Sequence, residues 1–343
     1  MFSRQLIESY LYGMNLLFPA SYSTLCPQAL ASLVSEKYGL GTVQCQLLVR
    51  GVADTYLVEA SAGRFILRAY RSEHRNQRQV KAEIELLNKL KEVGVPVSYP
   101  MQDLYGEYIR TVEAVEGKRQ LVLFSYAPGH PVSILNERQL YNLGREMARF
   151  HDVSSTIELQ RDRWNYDLDT ILFKPLEMLK FAFRDDPEGY LWMQQAARKV
   201  ETRLTRIGTS GFSTGYCHFD FLPKNFHFDG DSITFFDFDF LGYGWLVNDI
   251  MTFWQHLCLE VHFGRMKQVE ANNAYAIFLN AYRKVRHLSE KELEAVPHLS
   301  LGFWLFYMGF HTTHDQFFPF VQPAHLKLRT GLIRQMMERY WTE

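Results

Sequence analysis

Apolar positions change their period along this chain. Between residues 43 and 70, three short runs, Val43 to Val49, Thr55 to Glu59 and Phe65 to Tyr70, are apolar or alternate with polar residues. That is the period of two expected of strands. Gly51 and the Ser61-Ala62-Gly63 cluster separate them, so they predict an antiparallel meander. Gln77 to Val93 has helical period, and Gly94 with Pro96 stops it. Two further strand-like runs follow, Glu107 to Val112 and Gln120 to Tyr126. Ala127-Pro128-Gly129 then breaks the pattern, and beyond it the chain reads as mostly helical. Asn136 with Gln139 three residues on makes a capping box, and Leu140, Leu143, Met147 and Phe150 mark the buried stripe of the helix it starts. More helices are predicted within 168–182, 188–206, 246–262, 268–286 and 295–312. The exception is 213–238, where two short strands flank a polar loop. The pattern predicts an α+β fold of two lobes. A small lobe, 1–126, has an antiparallel sheet and one helix; a hinge lies near 122–129; a larger, mainly helical lobe spans 127–343.

Composition narrows this picture. A chain of 343 residues can bury a sizeable core, and its 15% aromatic content supplies large side chains for it. A formal net charge of -1 gives no general pull toward nucleic acid or an anionic membrane surface, so neither is an expected partner. Cys26, Cys45, Cys217 and Cys258 are scattered with no Cys-x-x-Cys pair, which reads as four reduced thiols and a cytoplasmic location. Arg4 and Glu8 interrupt the mildly apolar stretch Met1 to Ala20, which therefore lacks the form of a signal peptide. No stretch approaches about 18 uninterrupted apolar residues, the length a spanning helix needs. Oligomeric state stays open.

The polar loop carries the chemistry. His218-Phe219-Asp220-Phe221-Leu222-Pro223-Lys224-Asn225 reads as H-x-D-x-x-x-x-N, and Ile233 to Phe236 is a strand-like run that ends on Asp237. This is the spacing with which kinases place one base and two magnesium ligands around a transferring phosphoryl group. It assigns Asp220 as the base, Asn225 and Asp237 as ligands of Mg²⁺, and ATP as the phosphoryl donor. Together with the lobes, it predicts a bilobal protein-kinase-like fold. Arg68 lies in a strand where kinases place a phosphate-binding lysine and is read as holding phosphate oxygens, the alternative being a snorkelling or ion-paired arginine on a half-buried strand. Glu83 falls within the apolar stripe of Val80, Leu87 and Leu90, where a carboxylate needs a cation, and Arg68 is the expected partner. Arg50 to Thr55 is read either as a loop over the phosphates or as a plain hairpin turn. Ser125 and Tyr126 stand in the expected hinge, where backbone groups would meet the adenine. His218 and Asp249 are expected to brace the loop. Asp239 has three open readings: metal binding, a cationic substrate, or a nearby base. Trp245 lies closer to the chemistry than the aromatic run near residue 305 and is the better candidate for substrate contact. Phe303 to Met308, with His311, His314 and Asp315, reads as core aromatics more readily than as a cage.

Tyr216 to Thr252 resembles the aminoglycoside phosphotransferase and choline kinase superfamily. His218, Asp220, Asn225, Asp237, Gly242, Gly244, Asp249 and Ile250 match its successive steps: H-x-D, N, a strand ending in D, a Gly-rich turn, and D-[IL]. The likeness extends to the N-lobe and hinge. It implies an ATP-dependent kinase acting on a hydroxyl of a small molecule, such as an amino alcohol, aminoglycoside, sugar or homoserine-like compound. Choline-kinase-like members tolerate arginine at the position of Arg68. Three other readings remain: a kinase of protein side chains, a nucleotide-binding pseudokinase without turnover, and a metallohydrolase built from His218, Asp220, His227, Asp237 and Asp239.

Overall fold

The computed structural model describes residues 19–71, 73–159 and 163–341. Residues 1–18, on which most of the signal-peptide reading falls, lie outside them. The described chain forms two compact units, 19–76 with 101–124, and 77–100 with 125–341. The units interleave in sequence, whereas the apolar pattern divides the chain at a single point.

The first unit opens with a helix that the pattern did not announce, α1 (Pro27–Tyr38). Pro27 sits in its first turn, and Gly39 ends it in the left-handed conformation at φ 66°. Only Leu30 and Val34 of this helix are buried, too few positions to leave a clear period. Five strands follow: β1 (Val43–Arg50), β2 (Ala53–Ala60), β3 (Gly63–Tyr70), β4 (Arg110–Ala114) and β5 (Gly117–Ser125). They lie in the order β1-β2-β3-β5-β4, with β1, β2 and β3 forming the expected antiparallel meander. Leu30 and Val34 cover a core of Tyr56, Val58, Leu67, Ala69, Leu121 and Leu123. The link from β1 to β2 is the hairpin connection Gly51-Val52. Asp54, just past that link, is fully buried and accepts from the equally buried Arg119 at 2.8 Å. Arg119 also donates to the carbonyls of Tyr70, Ala69 and Ser23, so its charge and donors are satisfied inside the unit.

The second unit begins with α2 (Gln77–Glu92), whose buried face includes Val80, Glu83, Leu87 and Leu90. Helix α3 (Glu137–Ser154) starts at the Asn136–Gln139 capping box. The helix expected within 168–182 is a π turn (Asp169–Phe173) running into α4 (Lys174–Leu179). Then come α5 (Pro187–Ile207), α6 (Val247–His262), α7 (Gln268–Arg283), α8 (Glu290–Phe310) and α9 (Pro323–Tyr340). Helix α8 starts earlier than its apolar run because Ser289 and Glu292 form a capping box ahead of it. Two sheets complete the unit. The hairpin β8 (Phe226–Asp229) and β9 (Ser232–Phe235) follows the polar loop. A three-stranded sheet takes β6 (Trp164–Tyr166), β7 (Thr214–Cys217) and β10 (Gly242–Trp245) in the order β6-β10-β7.

The Gly-rich stretch expected as a turn is thus a central strand. A Cβ at Gly242 would lie 2.6 Å from Tyr166 Cε2, and one at Gly244 would lie 2.8 Å from Tyr166 Cβ. Glycine is required there because β6 presses on β10. No helix of the described residues is long and apolar enough to cross a membrane.

Candidate active site

The loop between β7 and β8 is held from behind by one buried carboxylate. Asp249, in the first turn of α6, accepts from the backbone N–H of His218 at 2.9 Å and of Phe219 at 2.6 Å. It also meets His151 Nε2 at 3.0 Å, and His151 Nδ1 lies 2.7 Å from the Tyr282 hydroxyl. These contacts fix a backbone that bulky residues avoid. Phe219 has φ 63° and Asp237 φ 64°, the two positive-φ non-glycine residues of the described chain. Such a conformation costs about 1–3 kcal/mol and persists where its surroundings over-determine it. Phe219 is over-determined twice, by Asp249 at its N–H and by Tyr166 stacked on its ring at 3.8 Å.

His218 is fully buried and its two ring nitrogens are both engaged. Nδ1 accepts from the Asp220 N–H at 3.2 Å, so Nε2 carries the proton and donates to the Phe236 carbonyl at 3.0 Å. A ring so engaged has no lone pair left for a metal. The metallohydrolase reading fails on this point, and among the described residues no group of three His, Cys, Asp or Glu could hold a metal ion.

Asp220 is 2% exposed. Its Oδ2 accepts from Asn225 Nδ2 at 2.7 Å and from Lys224 Nζ at 2.8 Å. Its Oδ1 is buried with no hydrogen-bond partner. The carboxylate is therefore oriented by one oxygen and open for chemistry at the other. Asn225 Nδ2 also donates to the Asp220 carbonyl at 2.8 Å. Since a carboxylate only accepts, the nitrogen must face Asp220, and Asn225 Oδ1 is left without a hydrogen bond. Asp237 is exposed, and its charge is felt at Lys224 and at Tyr307. Desolvation opposes the charge of Lys224, but Asp220 outweighs it and holds the ammonium above its ordinary pKa. Burial, reinforced by the charge of Asp220 and by the approach of the phenol to that carboxylate short of an ordinary hydrogen bond, pushes the Tyr307 phenol well up. Asn225 Oδ1 and the Asp237 carboxylate are hard oxygen donors of the kind Mg²⁺ takes.

A second clamp holds the turn after Asp237. Arg163 Nη2 donates to the carbonyls of Phe238 and Asp239, each at 2.7 Å, and its Nε to that of Leu241 at 3.0 Å. The same guanidinium donates to the Gln79 carbonyl at 3.2 Å and lies 3.7 Å from Glu83 Oε2. Glu83 is 1% exposed, so its place on the inward face of α2 brings it a cation, and Arg163 is one. Asp239 is buried within the Phe238–Phe240 turn.

Arg68 is buried on β3 of the first unit, with its guanidinium 5.2 Å from the Tyr70 ring centre. Ser125 donates its N–H to the Tyr99 carbonyl at 2.9 Å, and its carbonyl accepts from Ser98 Oγ at 2.6 Å. Its N–H is therefore spent inside the protein and cannot donate to an adenine. Tyr126 follows, half-buried. Trp245 is not brought to the carboxylates. It pairs with Thr214 at the end of β7 opposite His218 and packs on Phe212. Trp164 takes the central aromatic place, between Phe240, Phe306 and Phe310.

Sequence reasoning missed Lys224, Tyr307, Arg163 and His151 as parts of the site. Lys224 was visible inside the motif, and Tyr307 inside an aromatic run read as core. Arg163 and His151 left no local signal, since each acts across the fold.

A model of the phosphotransferase enzyme family matches residues 45–288. A protein of Deinococcus radiodurans is 33% identical over 294 residues, 85% of this chain and 84% of that one. Amicoumacin kinase of Bacillus subtilis is 29% identical over 226 residues, 63% of this chain and 64% of its own. Among solved structures, the amicoumacin kinase hAmiN in complex with AMP-PNP, Ca²⁺ and Ami aligns with a TM-score of 0.72 at 19% identity, over 98% of this chain and 97% of that one. At that identity the likeness establishes the bilobal kinase-like fold.

Proposed function

Since the chain belongs to the phosphotransferase enzyme family, we propose that it is a small-molecule kinase, moving the γ-phosphoryl group of ATP to a hydroxyl with Asp220 as base. The observation that carries this is the two-sided environment of Asp220. One carboxylate oxygen is fixed by Asn225 and Lys224, and the other is buried without a partner. A base in phosphoryl transfer needs such an oxygen, aimed at the acceptor and kept from reorienting. The acceptor hydroxyl would donate to Asp220 Oδ1, and its proton would pass there as the O–P bond forms. The leaving ADP carries the charge released from the broken bond. Lys224 stands beside Asp220, where its ammonium would steady the transferring group. Asn225 Oδ1 and Asp237 would hold Mg²⁺, which when bound neutralises charge on the phosphates. Arg68 would contact phosphate oxygens. The names of the kinase relatives support a small-molecule acceptor.

The test is Asp220→Asn. Transfer to hydroxyl acceptors should fall by at least about 10³-fold, the scale on which a general base and its positioning act. ATP–Mg²⁺ should still raise the melting temperature. Turnover equal to the parent's would remove Asp220 as base. A parent protein that neither binds ATP–Mg²⁺ nor turns it over would remove the kinase reading.

A further inference from the structure

We propose that the phosphoryl acceptor carries a carboxylate, and that Arg329 with His311 receives it; this rests on the kinase reading above. Arg329, on α9, is half-buried, and no carboxylate among the described residues pairs with it. Its Nη1 donates to His311 Nδ1 at 3.0 Å, and its guanidinium lies 5.4 Å from the Phe320 ring centre. Burial lowers its pKa, as expected of a cation without a counter-charge.

The neighbouring imidazole is uncharged. Burial, then the charges of Arg329, Lys224 and His314, push His311 down to about 3. Because Nδ1 accepts from Arg329, the single proton of the neutral ring sits on Nε2. That N–H makes no hydrogen bond among the described residues. Arg329 and His311 thus present donors, one positive charge and no acceptor of their own. An anionic oxygen group supplies what they lack.

The pair is linked to the reacting carboxylate by short steps within one unit. Lys224 Nζ is 2.8 Å from Asp220 Oδ2 and 5.8 Å from the Tyr307 ring centre. The Tyr307 and His311 ring centres are 6.1 Å apart, and the charge of Lys224 reaches His311. An acceptor with its hydroxyl at Asp220 would therefore extend its far end along Tyr307 toward Arg329. Charge balance selects the group at that end. Lys224 is already neutralised by Asp220, which leaves one uncompensated cation, and this suits a monoanionic carboxylate better than a phosphate dianion.

The experiment compares matched acceptors that differ in the acid alone: L-homoserine against 3-amino-1-propanol, and gluconate against sorbitol. The parent protein should favour the acid of a pair in kcat/KM by at least about tenfold, the effect of one charge-assisted hydrogen bond. Arg329→Gln should raise KM for the acid by about 10- to 100-fold, and far less for its partner, so that the preference collapses. Arg329→Lys should recover part of it. Preference for the amine or neutral member, an equal loss on both members in Arg329→Gln, or no turnover of either acid would overturn the carboxylate. Any of these with ATP–Mg²⁺ stabilisation and an Asp220-dependent activity intact leaves the kinase reading standing. Loss of that stabilisation in the parent protein would remove both.

Discussion

A fully buried carboxylate is tolerated only when its oxygens are engaged, and Asp249 shows what such engagement can do for a neighbour. Its oxygens hold the N–H groups of His218 and Phe219, and so set the strained backbone that presents Asp220. Asp249→Asn would turn an amide N–H₂ toward at least one backbone donor, leaving buried groups unpaired. We expect a loss of about 2–4 kcal/mol in unfolding free energy by urea titration, with kcat reduced and nucleotide stabilisation retained. A variant with parental stability and kcat would show that the loop holds its shape unaided. Residue-level legibility follows the same logic. His218, Asp220, Asn225, Asp237 and Asp249 were readable because their spacing is local. The binding pair Arg329 and His311 lies far from that motif in sequence, on elements with no pattern to join them.

At the scale of elements, periodicity located most helices and strands and failed where few positions are buried. Helix α1 buries two residues, and α9 buries Leu326, Thr330, Ile333 and Met336 across 18 positions. In α1 two positions are too few to set a period, and in α9 the buried positions do recur at helical spacing, but a threonine stands among them and charged or polar residues lie between. Strand β10 failed for another reason. Its glycines look like a turn in sequence, but they are dictated by contact with β6. Tyr166 fills the space beside Gly242 while stacking on Phe219, so this packing reaches the loop that carries Asp220. Gly242→Ala should therefore cost about 1–3 kcal/mol, as overpacking does, and should lower kcat through displacement of Phe219. Gly211→Ala is the control, since a Cβ there meets nothing within 4 Å. Equal stabilities for the two variants would show that β6 and β10 part without cost.

For the molecule as a whole, acid should act first through buried neutral histidines. Burial pushes His298 down to about 4, aided by the charge of Arg203, and His311 down to about 3; burial also lowers His256. The unfolded chain binds their protons near pH 6.5, while the folded chain resists until well below it. Between these values the unfolded state holds more protons, so stability falls as pH falls. The slope is at most about 1.4 kcal/mol per pH unit for each group. The salt-bridged carboxylates Asp103, Glu116 and Glu260 have pKa values held below their ordinary 3.8 to 4.5, so their contribution is lost only in more acid solution. From pH 6.5 to about 4.5 the decline should thus belong to histidines. Urea unfolding across that range should show it, and His298→Leu should lessen the decline by the share of one ring, without losing a hydrogen bond at the unpartnered buried Nδ1. A flat profile in the parent protein would mean that these rings are solvated. The same shift separates stability from binding. His311 stays neutral throughout this window and keeps accepting from Arg329, so KM for a carboxylate acceptor should hold constant while the unfolding free energy declines.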